Sequence, residues 1–330
     1  MSITRRDALA LGTAAAFSTA VPLRAQTQAV SFRLNWILYG FHTPFHLGVE
    51  RGFYRAEGID LTIGEGQGSV RTVQTVAARG DMFGLSDSGS VIAGAARGAP
   101  VRSILAITNS SPYAITGRTD KGVNSLKDLE GKTLAGAPGE AGLQLLPALF
   151  QRAGVDMAKV RILRVEGAGK MVAFAEGRAE ALLAGLDNQS ITLRRQGLPT
   201  KDFGYAEAGL NTVGLTIHTH RDTIAQNPDL VRRFARATVR AFEAAIADPE
   251  ASIRAGQKVK PDMEMSLSVE QLKVGISLMR SPRSRALPAG HFAPEDWQET
   301  LDLMKQYQDL QTSEPASAFF TNELAPAARS

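Results

Sequence analysis

Between residues 32 and 107 the chain alternates short β-type runs with amphipathic helical runs, and this alternation limits the possible folds more than any other feature. Phe32, Leu34 and Trp36 alternate with Arg33 and Asn35, as in a half-buried strand. A polar and aromatic turn follows at 37–42. Thr43-Pro44 then predicts a helix start, with Phe45, Leu47, Val49 and Phe53 as its apolar content, because proline is tolerated in the first helical turn. Ile59, Leu61 and Ile63 form a second alternating strand. The turn Gly64-Glu65-Gly66-Gln67-Gly68-Ser69 opens a helix with Val70, Val73, Val76 and Ala77 on one face, Ser69 being its expected cap. A short buried strand at 82–85, a small helix at 91–96 and a strand at 101–107 complete the run. The order βαβαβαβ predicts an α/β fold with a parallel sheet covered by helices.

Residues 117–200 repeat the scheme. Strands are predicted at 113–116, 133–135, 160–165 and 181–185, with helices at 143–150 and 170–175 between them. A weak internal echo supports two similar lobes. Ala78-Arg79-Gly80-Asp81-Met82-Phe83 leads to Asp87, and Gly177-Arg178-Ala179-Glu180-Ala181-Leu182 leads to Asp187. After strands at 203–205 and 213–219 the rest is helical, with a long helix from Asn227-Pro228-Asp229 and others at 251–257, 268–279 and 294–307. Such a tail suits a chain that returns to pack on its first lobe.

Composition narrows the chemistry. The 330 residues contain no cysteine, so disulfides, thiol catalysis and cysteine-ligated metals are excluded. The formal charge of +4 is spread without a basic block, which gives no electrostatic footprint for nucleic acid. Thr4-Arg5-Arg6-Asp7 ahead of an Ala- and Gly-rich apolar run ending near Ala25 reads as a twin-arginine export signal over residues 1–25, the alternatives being an ordinary Sec signal or an anchor. This predicts a periplasmic protein.

Ligands of parallel α/β sheets bind at strand carboxyl ends, so the candidate site residues are those that the predicted strands deliver there. The backbone of Gly66, Gly68 and Ser69 offers close approach and a helix N-terminus; the alternative is a plain tight turn. The dinucleotide pattern fails because Ser69 or Arg71 stands where its last glycine would be. A similar turn recurs at Ala137-Pro138-Gly139-Glu140. Asp87, Glu166 and Asp187 each end a predicted strand and could accept hydrogen bonds from an amine or ring N–H, or could cap a following helix. Asn35 and Asn211 carry the same two readings. Trp36, Tyr39 and His42 cluster in the first turn and offer flat surfaces for stacking, or core packing under the turn. The pairs His42/His46 and His218/His220 lack an adjoining acidic cluster for a metal, and Gly84-Leu85-Ser86-Asp87-Ser88 lacks the final glycine of a nucleophile elbow. No metal and no cofactor are expected.

Arg33-Leu34-Asn35-Trp36, Gly48-Val49-Glu50-Arg51-Gly52-Phe53-Tyr54, Gly80-Asp81-Met82-Phe83-Gly84, Ser125-Leu126-Lys127-Asp128-Leu129 and Asn227-Pro228-Asp229-Leu230-Val231 together resemble the ABC-transporter substrate-binding proteins of the nitrate/sulfonate/taurine and thiamine-pyrimidine-precursor superfamily. The resemblance spans nearly the whole chain beyond the export signal. It implies a type II periplasmic binding protein with two Rossmann-like lobes, lobe I at 26–115 and 210–330 and lobe II at 116–209, a two-segment hinge near 113–118 and 205–214, and a C-terminal helical extension. It also implies a non-catalytic monomer that closes on a small-molecule ligand and delivers it to ABC permease and ATPase subunits. Asn35-Trp36 and Glu65-Gly66-Gln67-Gly68-Ser69 are more similar to the pyrimidine-precursor branch, which implies stacking and carboxylate contacts from Trp36, His42, Ser69 and Glu166 to a planar heterocycle. Other branches imply an aliphatic sulfonate, nitrate or a flavin-like aromatic solute. Fungal pyrimidine synthases of the same fold rely on a cysteine-rich motif that this chain lacks.

Overall fold

A computed structural model describes residues 27–138, 140–165 and 169–327; the expected export signal lies outside them. The strands are β1 (Gln28–Arg33), β2 (Ile59–Gly64), β3 (Phe83–Asp87), β4 (Val101–Ala106), β5 (Tyr113–Arg118), β6 (Thr133–Gly136), β7 (Arg161–Arg164), β8 (Ala181–Gly185), β9 (Thr200–Gly204) and β10 (Leu215–His220). They form two five-stranded sheets, ordered β2-β1-β3-β10-β4 and β7-β6-β8-β5-β9. Helices accompany both, as in the α/β plan that the alternation predicts and the type II periplasmic binding fold that the resemblance implies.

The sheets are mixed rather than wholly parallel. β1, β2 and β3 run parallel, as do β6, β7 and β8. β10 lies antiparallel between β3 and β4, and β5 antiparallel between β8 and β9. Each reversed strand is the first strand after a crossing between lobes, so it enters its sheet from the opposite end. β5 sits wholly in the second sheet, so the first crossing precedes it, and a boundary drawn at 115/116 would cut the strand in two. The second crossing runs between β9 and β10.

The internal echo has a structural counterpart. β3 and β8 hold the third place in their sheets; Asp87 is the last residue of β3, and Asp187 lies in the turn two residues beyond the end of β8. Gly117 in β5 is required by packing, since a Cβ there would stand 2.3 Å from Val123 Cγ1.

β1 starts earlier and ends earlier than its apolar alternation predicts. Its pairing with β2 runs from Gln28–Ile59 to Arg33–Gly64. Asn35 and Trp36 therefore lie beyond the strand, in the loop that reaches the other lobe. The helix expected from 91 begins at Ser88, and the helix Gln189–Arg195 had no clear sequence periodicity.

The first lobe's core is aromatic. Phe32, Phe45, Phe83 and Phe234 are fully buried, and Phe83 stacks on Phe234 at 4.1 Å between centroids. Phe234 belongs to the long helix Pro228–Ala247, whose Thr238 also meets the Tyr54 hydroxyl at 3.1 Å. The returning helix thus packs on the first lobe's core. The last helix, Pro294–Tyr307, does more. Trp297, Leu301 and Met304 pack with Ile92 and Val213 while Leu303 enters the second lobe's core. Thr300 Oγ1 accepts the Val213 N–H at 3.0 Å, so this helix braces the second crossing.

Candidate functional site

The loops after β1 and β2 are knitted together by backbone bonds. Gly66 N–H donates to the Trp36 carbonyl at 3.1 Å, and Gly68 N–H to the Asn35 carbonyl at 2.8 Å. The Glu65 carboxylate accepts the Leu38 N–H at 2.7 Å. A Cβ on Gly66 would sit 2.0 Å from the Leu34 carbonyl oxygen, and Gly68 adopts φ +113°. Glycine is thus required here by close packing and backbone sign. Gly66 and Gly68 spend their N–H groups on this seam, which corrects the expectation that they offer them to a ligand. Gly66→Ala must push backbone against backbone. We expect it to cost about 3 kcal/mol, read as a lowered urea midpoint; an unshifted midpoint would sink this account of the seam.

The seam aims side chains at a cleft between the sheets. From the first lobe, Asn35, Trp36, Tyr39 and Ser69 line it; from the second come Tyr113, Glu140, Asp187, Asn188 and Gln189. Ser69 begins its helix rather than capping it, and its hydroxyl oxygen accepts the Asp87 N–H at 3.0 Å.

Contacts cross the cleft. The Tyr39 hydroxyl donates to Asp187 Oδ2 at 2.7 Å. Asp187 is almost fully buried, and burial pushes its carboxyl up to about 6 against the hydrogen bond from Tyr39. Tyr113 of β5, from the other lobe, stands near Asp87, but the buried Asp87 Oδ2 makes no hydrogen bond among the described residues. Burial raises the Asp87 carboxyl to about 7, opposed by the Tyr113 hydroxyl and the N–H groups of Gly89 and Ser90. Lys170, buried in the second lobe, pairs with the Glu140 carboxylate and donates to the Leu183 carbonyl at 2.7 Å. Its ammonium also lies 5.6 Å from the centre of the Trp36 ring, within cation–π range.

The predicted residues divide into three groups. Asn35, Trp36, Tyr39, Gly68, Ser69 and Asp187 come together on the cleft, although the Gly68 N–H is spent on the Asn35 carbonyl. His42 does not reach it: it is fully buried, with Nε2 at 3.0 Å from Asn35 Oδ1 and its ring edge-on to Tyr39 at 4.3 Å. Burial lowers it to about 3, so it stays neutral. It holds the Asn35 amide oxygen and leaves the amide nitrogen for the cleft. Asp87 Oδ1 caps the helix Ser88–Ala96 through Gly89 and Ser90, the alternative reading for that residue. Asn211 accepts the Ser111 N–H at 3.3 Å and so ties the two crossing segments. Gly139 and Glu166 lie outside the described residues. Glu140, Lys170, Tyr113, Asn188 and Gln189 were not singled out. Only Glu140 carried a signal, its place in the second glycine-bearing turn.

Comparison with known proteins fits this geometry. The family pattern described as NMT1/THI5 like matches residues 40–252. The riboflavin-binding protein RibY of Chloroflexus aurantiacus is 25% identical, over 95% of this chain and 92% of its own. The 4-amino-5-hydroxymethyl-2-methylpyrimidine phosphate synthase of Schizosaccharomyces pombe is 25% identical, over 91% and 88%. The formylaminopyrimidine-binding protein of Halalkalibacterium halodurans is 21% identical, over 89% and 90%. In structure, the alkanesulfonate-binding protein SsuA from Xanthomonas axonopodis pv. citri superposes with a TM-score of 0.71 at 17% identity, covering 90% of this chain and 99% of that one.

Proposed function

Because the chain belongs to the NMT1/THI5-like family, we propose that it is the solute-binding component of an ABC importer, exported to the periplasm, and that its two lobes close on a planar nitrogen heterocycle. The observation that carries the ligand class is Asp187. A nearly buried carboxylate just past a strand end, beside an indole ring and across from Tyr39, is an acceptor placed for an amino group or ring N–H. A sulfonate or nitrate would instead bring its negative charge against Asp187, which has no cation paired with it among the described residues. Two relatives of nearly full length are named for binding riboflavin and formylaminopyrimidine, both flat nitrogen heterocycles. Hinge motion about the two crossings supplies entry and release, with the Tyr39–Asp187 bond holding the closed form.

Delivery to a permease follows from the proposed role rather than from any residue of the cleft. The absence of cysteine separates this chain from the cysteine-dependent chemistry that the resemblance associates with the fungal synthases.

Tryptophan emission tests the proposal. Of the two tryptophans, Trp36 lies on the cleft and Trp297 is buried between Phe292 and Phe320. Formylaminopyrimidine or riboflavin is expected to change the emission of the purified protein, and taurine and nitrate to leave it unchanged. Trp36→Phe should abolish the response. A response to taurine or nitrate with silence to both heterocycles would overturn the ligand class. Conversion of a bound heterocycle by the purified protein would replace binding with catalysis.

A further inference from the structure

The cleft holds two adjoining compartments that share part of their lining. The inner one, of about 70 Å³, holds Asp187, Glu140, Asn35 and Ser69. The outer one, of about 310 Å³, shares Trp36, Tyr39, Asn188 and Gln189 with it and is completed by residues that include Lys260 and Ser268. The larger of the two volumes therefore lies outside the compartment that carries Asp187 and Glu140. A bare ring held against Asp187 would leave the outer space to water.

The two compartments offer different chemistry. The inner one is rich in acceptors. In the outer one, hydrogen bonds already made decide which ends are left over. Asn188 Oδ1 accepts from Gln271 Nε2 at 3.1 Å, and Gln189 Oε1 accepts the Gly185 N–H at 2.8 Å. Both amides therefore keep their nitrogens as the free ends. The Glu264 carboxylate is occupied by the N–H groups of Ser266 and Leu267. Lys260 Nζ makes one long contact, 3.4 Å to the Leu38 carbonyl, and pairs with no carboxylate among the described residues. Asp262, the other acid of the lining, is exposed.

We propose that the outer compartment is a second subsite, which takes an oxygen-rich, hydrogen-bond-accepting tail carried by the heterocycle. Lys260 Nζ and the amide nitrogens of Asn188 and Gln189 are its donors. This rests on the heterocycle reading of the inner compartment and extends it. A hydroxylated chain and a phosphorylated one present the same clustered oxygen acceptors, and matched probes separate them.

The test uses ligands that share a ring and differ in the tail. One series is lumiflavin, riboflavin and flavin mononucleotide. The other is 4-amino-2,5-dimethylpyrimidine, its 5-hydroxymethyl analogue and the phosphate of that alcohol. Dissociation constants are measured by calorimetry on the full mature chain. In whichever series binds, a tailed member should bind at least about tenfold tighter than the bare ring, the contribution of about one additional hydrogen bond. Lys260→Met and Lys260→Gln should each bring that ratio close to one. Tighter binding of riboflavin than of its phosphate would assign a neutral hydroxylated tail, and the reverse a phosphate. A bare ring that binds as tightly as its tailed partners overturns the second subsite and leaves the heterocycle reading intact. An unchanged ratio in both Lys260 variants removes Lys260 from the subsite. Silence to every member of both series overturns the heterocycle reading and the subsite together.

Discussion

Asp187→Asn is expected to weaken binding of an amino-substituted heterocycle about 30- to 150-fold, the loss of a charged hydrogen bond of about 2–3 kcal/mol. The substitution keeps the shape of the side chain and an oxygen for the Tyr39 hydroxyl, so the cleft can still close. It removes the charge that a ring N–H or amino group would meet. The pH dependence sharpens the test. Burial raises the Asp187 carboxyl to about 6, so below that pH the acceptor is neutralised. Wild-type affinity should fall by up to tenfold per pH unit below about 6, and the variant should show no such fall. Calorimetry between pH 4.5 and 8 reads both quantities. Equal slopes in the two proteins would remove Asp187 from the ligand.

Stability moves in the opposite direction. A carboxyl raised by burial contributes stability below its unfolded value, near 4, and loses that contribution as pH rises through about 6. Asp87, raised to about 7, acts with the same sign. These two carboxyls thus favour the folded, empty protein in acid where ligand binding is weakened, while the buried His42 and His218, each lowered to about 3, act with the opposite sign.

The second large effect concerns His218, which lies in the middle of the first sheet, where β10 pairs with Gly84 of β3 and Ser103 of β4. It is fully buried. Gly84 makes room for it, since a Cβ there would stand 2.5 Å from the imidazole Cε1. Burial lowers its pKa to about 3, with backbone groups of Gly84 and Thr72 opposing the shift in part. A histidine lowered on folding contributes stability above its unfolded value, near 6.5, and loses it as pH falls toward about 3. At pH 4 that loss is about 3 kcal/mol. Methionine fills similar space without titrating. The stability of His218→Met relative to wild type is therefore expected to shift by about 3 kcal/mol in the variant's favour between pH 7.5 and pH 4. The comparison cancels Asp87, Asp187 and His42, which titrate alike in both proteins. A difference that stays constant with pH would show that His218 is not the buried base.

The local pattern carried the two-lobe α/β plan. Apolar alternation at 59–63, the proline after Thr43 and the helix face from Leu230 to Ala245 act between neighbours in sequence, and the strands and helices formed there. Trp36, Tyr39, Ser69 and Asp187 were legible as cleft candidates for the same reason: each follows a strand, where an α/β sheet delivers its side chains to one edge. What misled was residue type without environment. Asp87 and Asp187 come at or just past the ends of matching strands, yet one spends its Oδ1 capping a helix while the other meets a hydroxyl across the cleft. His42 and Tyr39 stand three apart, yet one lies beneath the site and the other spans it. Gly66 and Gly68 read as open donors because nothing local shows that their N–H groups meet the carbonyls of Trp36 and Asn35.

The sequence by itself determined the alternating α/β plan, the absence of thiol chemistry and the strand ends proposed to face a ligand. These follow from periodicity and composition, which need no knowledge of distant partners. Only the tertiary structure decided that each sheet borrows a reversed strand after a crossing, that Tyr39 reaches Asp187 from 148 residues away, and that Lys170 sits buried between Glu140 and Trp36. Those outcomes depend on the docking of one lobe against the other. The free energy of burying Asp187 and Lys170 is set by atoms far away in sequence, and no local pattern encodes it.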